Sequence, residues 1–274
     1  MDISKCKEII NLALKEDVGL GDITANLIRE DKIVRAKIIT RQDAVVCGRD
    51  FVDMVFHQLD PDIIITWKVN DGNSVIKNQD ICYLNGLAKP LLTGERCALN
   101  FLQTLSGTAT LTKKFVEIVQ GTGVVLLDTR KTIPGLRLAQ KYAVICGGGQ
   151  NHRMGLYDAF LIKENHIEAC GSITNAVTLA RQHDSEKVVE VEVKNIEEFK
   201  EALLLKVNII MLDNFSLDEI KKAVALNSGS AKIEVSGGVN LESIAKIAAT
   251  GVDYISVGAL TKNIESVDFS MLFI

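Results

Sequence analysis

The chain of 274 residues is short of several things, and each shortage excludes something. Three prolines and 5% aromatic residues rule out a proline-rich filament and leave the core to aliphatic side chains. No stretch approaches the roughly 18 uninterrupted apolar residues that a membrane-spanning helix needs. Met1 to Glu8 has no apolar run of the kind a signal peptide carries, and the cysteine pattern is the one expected of a cytoplasmic protein. The cysteines are Cys6, Cys47, Cys82, Cys97, Cys146 and Cys170, with no Cys-x-x-Cys pair. That spacing argues against structural zinc and for reduced, mostly buried thiols. Positive charge is also wanting. Lys plus Arg number 31 against 35 Asp plus Glu, a net −4 that suits neither nucleic acid nor an anionic membrane as partner. What remains is 47% apolar and 24% charged, the balance of a folded globular chain rather than a disordered one.

The two halves follow different rhythms. In the first ~100 residues, helices and strands mix without a regular beat. Cys6, Ile9, Ile10 and Ala13 mark one face of a helix, and Val52, Val55, Phe56 and Leu59 mark another. Strand-like runs cover Ile33 to Thr40, Ile63 to Val69 and Ile81 to Leu84, and Asp71-Gly72 reads as a hairpin turn. A long helix is expected from about Gly94 to Gln120, with Leu99, Leu102, Phe115 and Val119 on its buried face and Gly107 inside it for close packing. From residue 124 six apolar runs alternate with helical stretches, two of which open on apparent capping boxes, Asn195 with Glu198 and Ser216 with Glu219. Near-continuous apolar strands separated by helices imply a parallel sheet buried on both faces, here an incomplete TIM-like β/α barrel.

The residues after each run carry the chemistry, because the C-terminal strand ends of such a barrel share one rim. The rim receives Asp128-Thr129-Arg130-Lys131, Lys163-Glu164, Glu190 and Glu192, Asp213-Asn214, Ser236-Gly237-Gly238 and Val257-Gly258-Ala259. Between Thr129 and Ile167 six cations face two acids, a basic island in an acidic chain. A small anionic substrate is the natural partner of such an island. Arg137 and Lys141, at i and i+4, read instead as a solvated helix face. The small-residue turns ending the last two strands offer backbone N–H groups to phosphate. Glu192 and Asp213 offer oxygen ligands to Mg²⁺. Gly147-Gly148-Gly149 before His152 and Arg153 is neither a dinucleotide fingerprint nor a phosphate loop of the Gly-Lys-Ser/Thr type. His152 and His166 lack metal-helix spacing, and no covalent nucleophile presents itself. The residues alone lead to an enzyme acting on a phosphorylated, multiply anionic substrate.

The longer motifs resemble those of the quinolinate phosphoribosyltransferases. They are Asp128-Thr129-Arg130-Lys131-Thr132-Ile133-Pro134-Gly135-Leu136-Arg137, Lys141-Tyr142-Ala143-Val144, Gly147-Gly148-Gly149-x-Asn151-His152-Arg153, Leu161-Ile162-Lys163-Glu164-Asn165-His166 and Met211-Leu212-Asp213-Asn214. Glu16-Asp17-x-Gly19-x-Gly21-Asp22, Gly94-Glu95-Arg96, Glu190-Val191-Glu192-Val193 and Glu234-Val235-Ser236-Gly237-Gly238 extend the likeness over nearly the whole chain. Gln140 stands where that family commonly has an acid. The resemblance implies an N-terminal α/β sandwich over 1–105, a barrel domain over 106–267, and a tail, 268–274, that returns to the sandwich. It implies conversion of quinolinate and phosphoribosyl pyrophosphate to nicotinate mononucleotide, pyrophosphate and carbon dioxide, in de novo NAD synthesis. It further implies a quinolinate pocket of Thr129, Arg130, His152, Arg153 and Lys163, with Lys131 beside it and Arg96 supplied by a neighbouring subunit of a homodimer or larger assembly. Glu192 and Asp213 would serve the donor ribose and Mg²⁺, and Ser236, Gly237, Gly238, Val257, Gly258 and Ala259 its phosphates.

Overall fold

The computed structural model describes residues 3–274. Its chain divides into two compact units. One comprises the chain up to Lys113, Thr132–Gly148 and Leu260–Ile274, and the other Lys114–Lys131 and Gly149–Ala259. The stretch that follows the first barrel strand thus packs with the N-terminal residues, whereas the sequence reading placed it in the barrel.

In order along the chain come helix α1 (Lys7–Val18), strands β1 (Ile33–Thr40) and β2 (Ala44–Val45), α2 (Arg49–Leu59), β3 (Ile64–Trp67), β4 (Ser74–Val75), β5 (Asp80–Leu87) and α3 (Ala88–Val119). The strand β5 runs straight into α3, six residues before the start that periodicity indicates. Pro90 does not prevent this, since the first helical turn has no use for its missing N–H. The antiparallel sheet has the order β12-β1-β5-β3, where β12 is Phe269–Phe273, so the end of the chain pairs with β1. Alternate β1 residues Ala36 and Ile38 share a buried cluster with Ile81 and Leu84 of β5, Ile10 and Leu14 of α1, Phe51, Val55 and Phe56 of α2, and Leu99 and Leu102 of α3. Asn73 N–H donates to Asn70 C=O at 3.0 Å, so a turn does form around Asp71-Gly72. It is not a hairpin, because β3 pairs with β5 and β4 with β2.

Next come β6 (Val125–Leu127), α4 (Arg137–Cys146), β7 (Phe160–Ile162), α5 (Glu164–Cys170), α6 (Ile173–His183), β8 (Val189–Val193), α7 (Ile196–Leu204), β9 (Ile209–Asp213), α8 (Leu217–Asn227), β10 (Lys232–Ser236), α9 (Ile244–Ala248), β11 (Tyr254–Ser256) and α10 (Ala259–Lys262). The six strands β6 to β11 form one parallel sheet, ordered β6-β11-β10-β9-β8-β7. Its two edge strands share no ladder, and β6 is met on its open side by one parallel bridge, Leu127 to Gln150. The barrel is therefore incomplete, as its six runs lead one to expect. Ser216 and Glu219 form the full reciprocal cap of α8. Asn195 accepts from Glu198 N–H at 2.9 Å, but the Glu198 carboxylate takes the Lys194 N–H instead of closing the box.

Helix α4 corrects one expectation. Lys141 is fully buried, together with Ala139, Gln140, Ala143 and Val144, rather than lying on a solvated face. Gln140 accepts from Ile133 N–H at 2.7 Å and donates to Thr261 C=O at 2.9 Å, so an uncharged amide joins two segments of the N-terminal unit.

Candidate active site

A cleft of about 600 Å³ opens at the C-terminal ends of the parallel strands. Its walls hold Thr129, Arg130 and Lys131 after β6, His152 and Arg153, Lys163 after β7, Glu192 on β8, Asp213 and Asn214 on β9, and Ser236, Gly237 and Gly238 on β10. Period-two alternation accounts for the convergence. In the parallel registers Glu192 and Glu234 each sit opposite Met211, and Ser236 sits opposite Asp213. These side chains thus form two tiers on one face of the sheet. All of them line the cleft.

The cations are placed by the frame around them. Asp128, fully buried at the end of β6, accepts the backbone N–H of His152 at 2.9 Å. The first residue of the Asp-Thr-Arg-Lys run therefore holds the loop that carries His152 and Arg153. The Thr129 hydroxyl accepts from Lys131 N–H at 3.1 Å, which tightens the turn between them. Arg153 donates to Ala159 C=O at 3.1 Å. Burial depresses the Arg153 pKa first, and the nearby Arg130 guanidinium adds to that. The Nε atoms of both arginines are buried with no hydrogen-bond partner among the described residues. Two mutually repelling, partly desolvated guanidinium groups are an arrangement that an anion relieves.

The acids at this cleft differ in burial. Glu192 is ion-paired with Lys163. Asp213 accepts from Asn214 Nδ2 at 3.0 Å. Glu190 and Glu234 are buried, and His152 Nε2 lies 2.9 Å from Glu190 Oε2 and 3.6 Å from Glu234 Oε2. Burial and the neighbouring Glu190 push the Glu234 carboxyl up to about 8, so it is protonated near neutral pH. Glu234 and Ser256 are not among the site residues that the sequence indicates, and Glu190, placed on the rim, receives no role there. The available signal was a glutamate flanked by aliphatic residues within a strand, Glu190 between Val189 and Val191 and Glu234 between Ile233 and Val235. A carboxyl so placed needs a partner.

Other assigned residues fall outside the cleft lining. Val257 N–H already donates to Leu127 C=O at 2.9 Å, so this amide is not available to phosphate. Gly258 lies against the lining, since a Cβ there would sit 2.9 Å from Lys131 Cδ. Ala259 begins the short α10. Arg96 is exposed on α3 of the N-terminal unit and lines no part of this cleft. Gly237 has φ +93°, and a Cβ would lie 2.2 Å from Asn214 Oδ1, so this turn admits glycine alone. His166 is not arranged as a ligand: its Nδ1 accepts from Lys163 N–H at 3.0 Å.

Comparison with known proteins gives this cleft its relatives. Residues 22–106 match the N-terminal domain model of quinolinate phosphoribosyl transferase, and residues 108–272 match its C-terminal domain model. A probable nicotinate-nucleotide pyrophosphorylase (carboxylating) of Bacillus subtilis is 40% identical over 272 residues, covering 99% of this chain and 94% of that protein. The chloroplastic nicotinate-nucleotide pyrophosphorylase (carboxylating) of Arabidopsis thaliana is 41% identical, covering 97% of this chain and 82% of that protein. Among solved structures, the nicotinate-nucleotide pyrophosphorylase of Francisella tularensis superposes with a TM-score of 0.98 at 50% identity, over 100% of this chain and 98% of that one. With both domain models matched and relatives similar along nearly their whole length, the chain belongs to the quinolinate phosphoribosyltransferase family.

Proposed function

We propose that the cleft transfers the phosphoribosyl group of phosphoribosyl pyrophosphate to the ring nitrogen of quinolinate, giving nicotinate mononucleotide, pyrophosphate and carbon dioxide in de novo NAD synthesis. One observation carries the assignment: Arg130 and Arg153 bring two cations together with buried, unpartnered Nε atoms. Guanidinium groups of this kind grip carboxylates, and quinolinate has two. Thr129, His152, Lys131 and Lys163 complete that end of the cleft. The donor phosphates lie toward Ser236, Gly237, Gly238 and Gly258. Glu192 and Asp213 face the ribose, where positive charge builds at the anomeric carbon as pyrophosphate departs. Once the ring nitrogen is alkylated, the pyridinium accepts the electron pair left by the departing carboxylate. Positioning and electrostatics therefore suffice without a covalent intermediate on the protein.

Mg²⁺ fits the donor set. Glu192 and Asp213 bring carboxylate oxygens to one cleft wall from neighbouring strands, and phosphate oxygens are the usual remainder of a Mg²⁺ shell. Bound there, the ion neutralises charge developing on pyrophosphate. The exposed Arg96 is assigned to the site of a second copy, which makes the working unit a homodimer or a larger assembly. The six cysteines, spaced without pairs, suit a reducing cytoplasm. Among the described residues no helix is long and apolar enough to cross a membrane.

Incubation with both substrates and Mg²⁺ should release carbon dioxide and nicotinate mononucleotide together, and chelating the metal should abolish turnover. Arg130→Ala or Lys163→Ala should weaken quinolinate binding by about 2–3 kcal/mol, roughly 30- to 150-fold by calorimetry, while the fold survives. Unchanged affinity in both variants would remove quinolinate from this end of the cleft. Glu192→Gln and Asp213→Asn should spare quinolinate binding and impair use of the donor.

A further inference from the structure

Away from this cleft, within the N-terminal unit, the sulfurs of Cys47 and Cys146 and a carboxylate oxygen of Asp71 lie within 4.8 Å of one another. Cys47 immediately precedes Gly48 and α2, Asp71 belongs to the turn after β3, and Cys146 ends α4. Their approach is built into the backbone. The Ser106 hydroxyl accepts from Cys47 N–H at 3.0 Å and donates to its C=O at 3.2 Å, pinning Cys47 to α3. A Cβ on Gly72 would lie 3.3 Å from Cys146 C=O, so the turn packs closely against the end of α4.

Asp71 is already committed. Its Oδ1 accepts from the N–H groups of Gly48 and Arg49 at 3.0 and 3.2 Å, and its Oδ2 accepts from Tyr142 Oη at 3.0 Å. A metal would have to break these bonds and would still lack the four ligands of a structural zinc site. What is left is a pair of thiols with unequal surroundings. Cys47 is fully buried, and burial holds its thiol well above the ordinary value. Cys146 is partly exposed, and the adjacent Cys47 and Tyr142 draw its thiol below the ordinary value against the effect of burial. An accessible, more acidic thiol beside a buried protonated one is the pairing of attacking and resolving cysteines.

We propose that Cys47 and Cys146 form a peroxide-oxidisable dithiol that closes to an intramolecular disulfide. The Cys146 thiolate attacks hydrogen peroxide: an S–O bond forms, the O–O bond breaks, and hydroxide leaves and is protonated to water. The Cys47 sulfur then attacks the Cys146 sulfenic acid. The S–S bond forms, the S–O bond breaks, and the Cys47 proton leaves with the oxygen as a second water. The two sulfurs lose two electrons, and one peroxide is reduced to two waters. The new bond joins the end of α4 to the residues entering α2. In sequence it lies just ahead of Gly147-Gly148-Gly149 and the loop carrying His152 and Arg153.

The test is hydrogen peroxide treatment of the full-length native protein, followed by alkylation and peptide mapping without reduction. The free thiols should fall from six to four, with one linked peptide pair containing Cys47 and Cys146, restored to six by a small dithiol reductant. In Cys47→Ser the Cys146 sulfenic acid should persist and be trapped by dimedone, and in Cys146→Ser the Cys47 thiol should survive. A different disulfide, or six thiols still free in wild type after prolonged treatment with excess peroxide, overturns the proposal. The wild-type map decides this even if either serine variant fails to fold.

Discussion

Glu234 keeps its proton because its surroundings disfavour the charge: it is fully buried, and Glu190 lies beside it. The consequence for stability follows from the direction of that shift. Below its ordinary value of 4.5 the carboxyl is protonated in folded and unfolded chains alike. Between there and about 8 the folded chain retains a proton that the unfolded chain has lost, so folding loses stability as pH rises, and the loss is complete above about 8. The limiting slope for one proton is about 1.4 kcal/mol per pH unit. Glu234→Gln replaces the protonated acid by a neutral group of equal size and should remove this component. Urea unfolding at pH 5, 6 and 7, values inside that window, should show the variant gaining on wild type at each step. Parallel curves would mean that Glu234 is ionised in the native protein. The same residue shows where reading the sequence stopped. Glu190 and Glu192 share a face by periodicity, and so do Glu234 and Ser236. Alternation gives the face, but it does not give burial, and burial separates the pair around His152 from the partly exposed Glu192.

At the scale of elements the strand–helix beat after residue 124 was legible, because parallel strands buried on both faces leave apolar runs of their own length. Of the antiparallel sheet β1, β3 and β5 were legible as runs, whereas β12 and the pairing were not. Asp71-Gly72 signals a turn, yet nothing local in β4 tells it to pair with β2 rather than β3. Helix α4 misled for a related reason: Arg137 and Lys141 look like a solvated stripe, and only tertiary packing puts Lys141 inside. Gly107 gives the element-scale prediction. In a free helix, exchanging it for alanine gains about 1 kcal/mol. Here an added Cβ would lie 2.4 Å from the Glu265 backbone oxygen, which belongs to chain rather than to a movable side chain. Overpacking of this kind typically costs about 1–3 kcal/mol, more than the propensity returns. Gly107→Ala should therefore lower the denaturant midpoint. A variant as stable as wild type would show that the segment around Glu265 yields.

For the whole molecule the open question is Arg96, which the basic island of the barrel does not explain. It is exposed on α3, and the cleft of its own chain is lined without it. The motif Gly94-Glu95-Arg96 raised this residue only through family resemblance, since one arginine on a long helix has no signature that separates an interface from a solvated surface. The proposed shared site makes a sharp demand of a symmetric dimer, in which each chain lends its arginine to the other. Arg96→Ala and Lys163→Ala should each cut activity roughly 30-fold or more, as loss of a charge-assisted contact with substrate does. In a dimer made of one chain of each kind, one site receives both defects and the other receives neither. Mixed dimers should then recover about half the activity of wild type, far above either parent. Co-expression with two different tags, sequential affinity purification of the mixed species and assay of carbon dioxide release make the measurement. Random pairing without purification should give about a quarter, because only about half of all dimers are mixed. If verified mixed dimers are no more active than the parents, Arg96 serves its own chain or none, and the site is complete within one subunit.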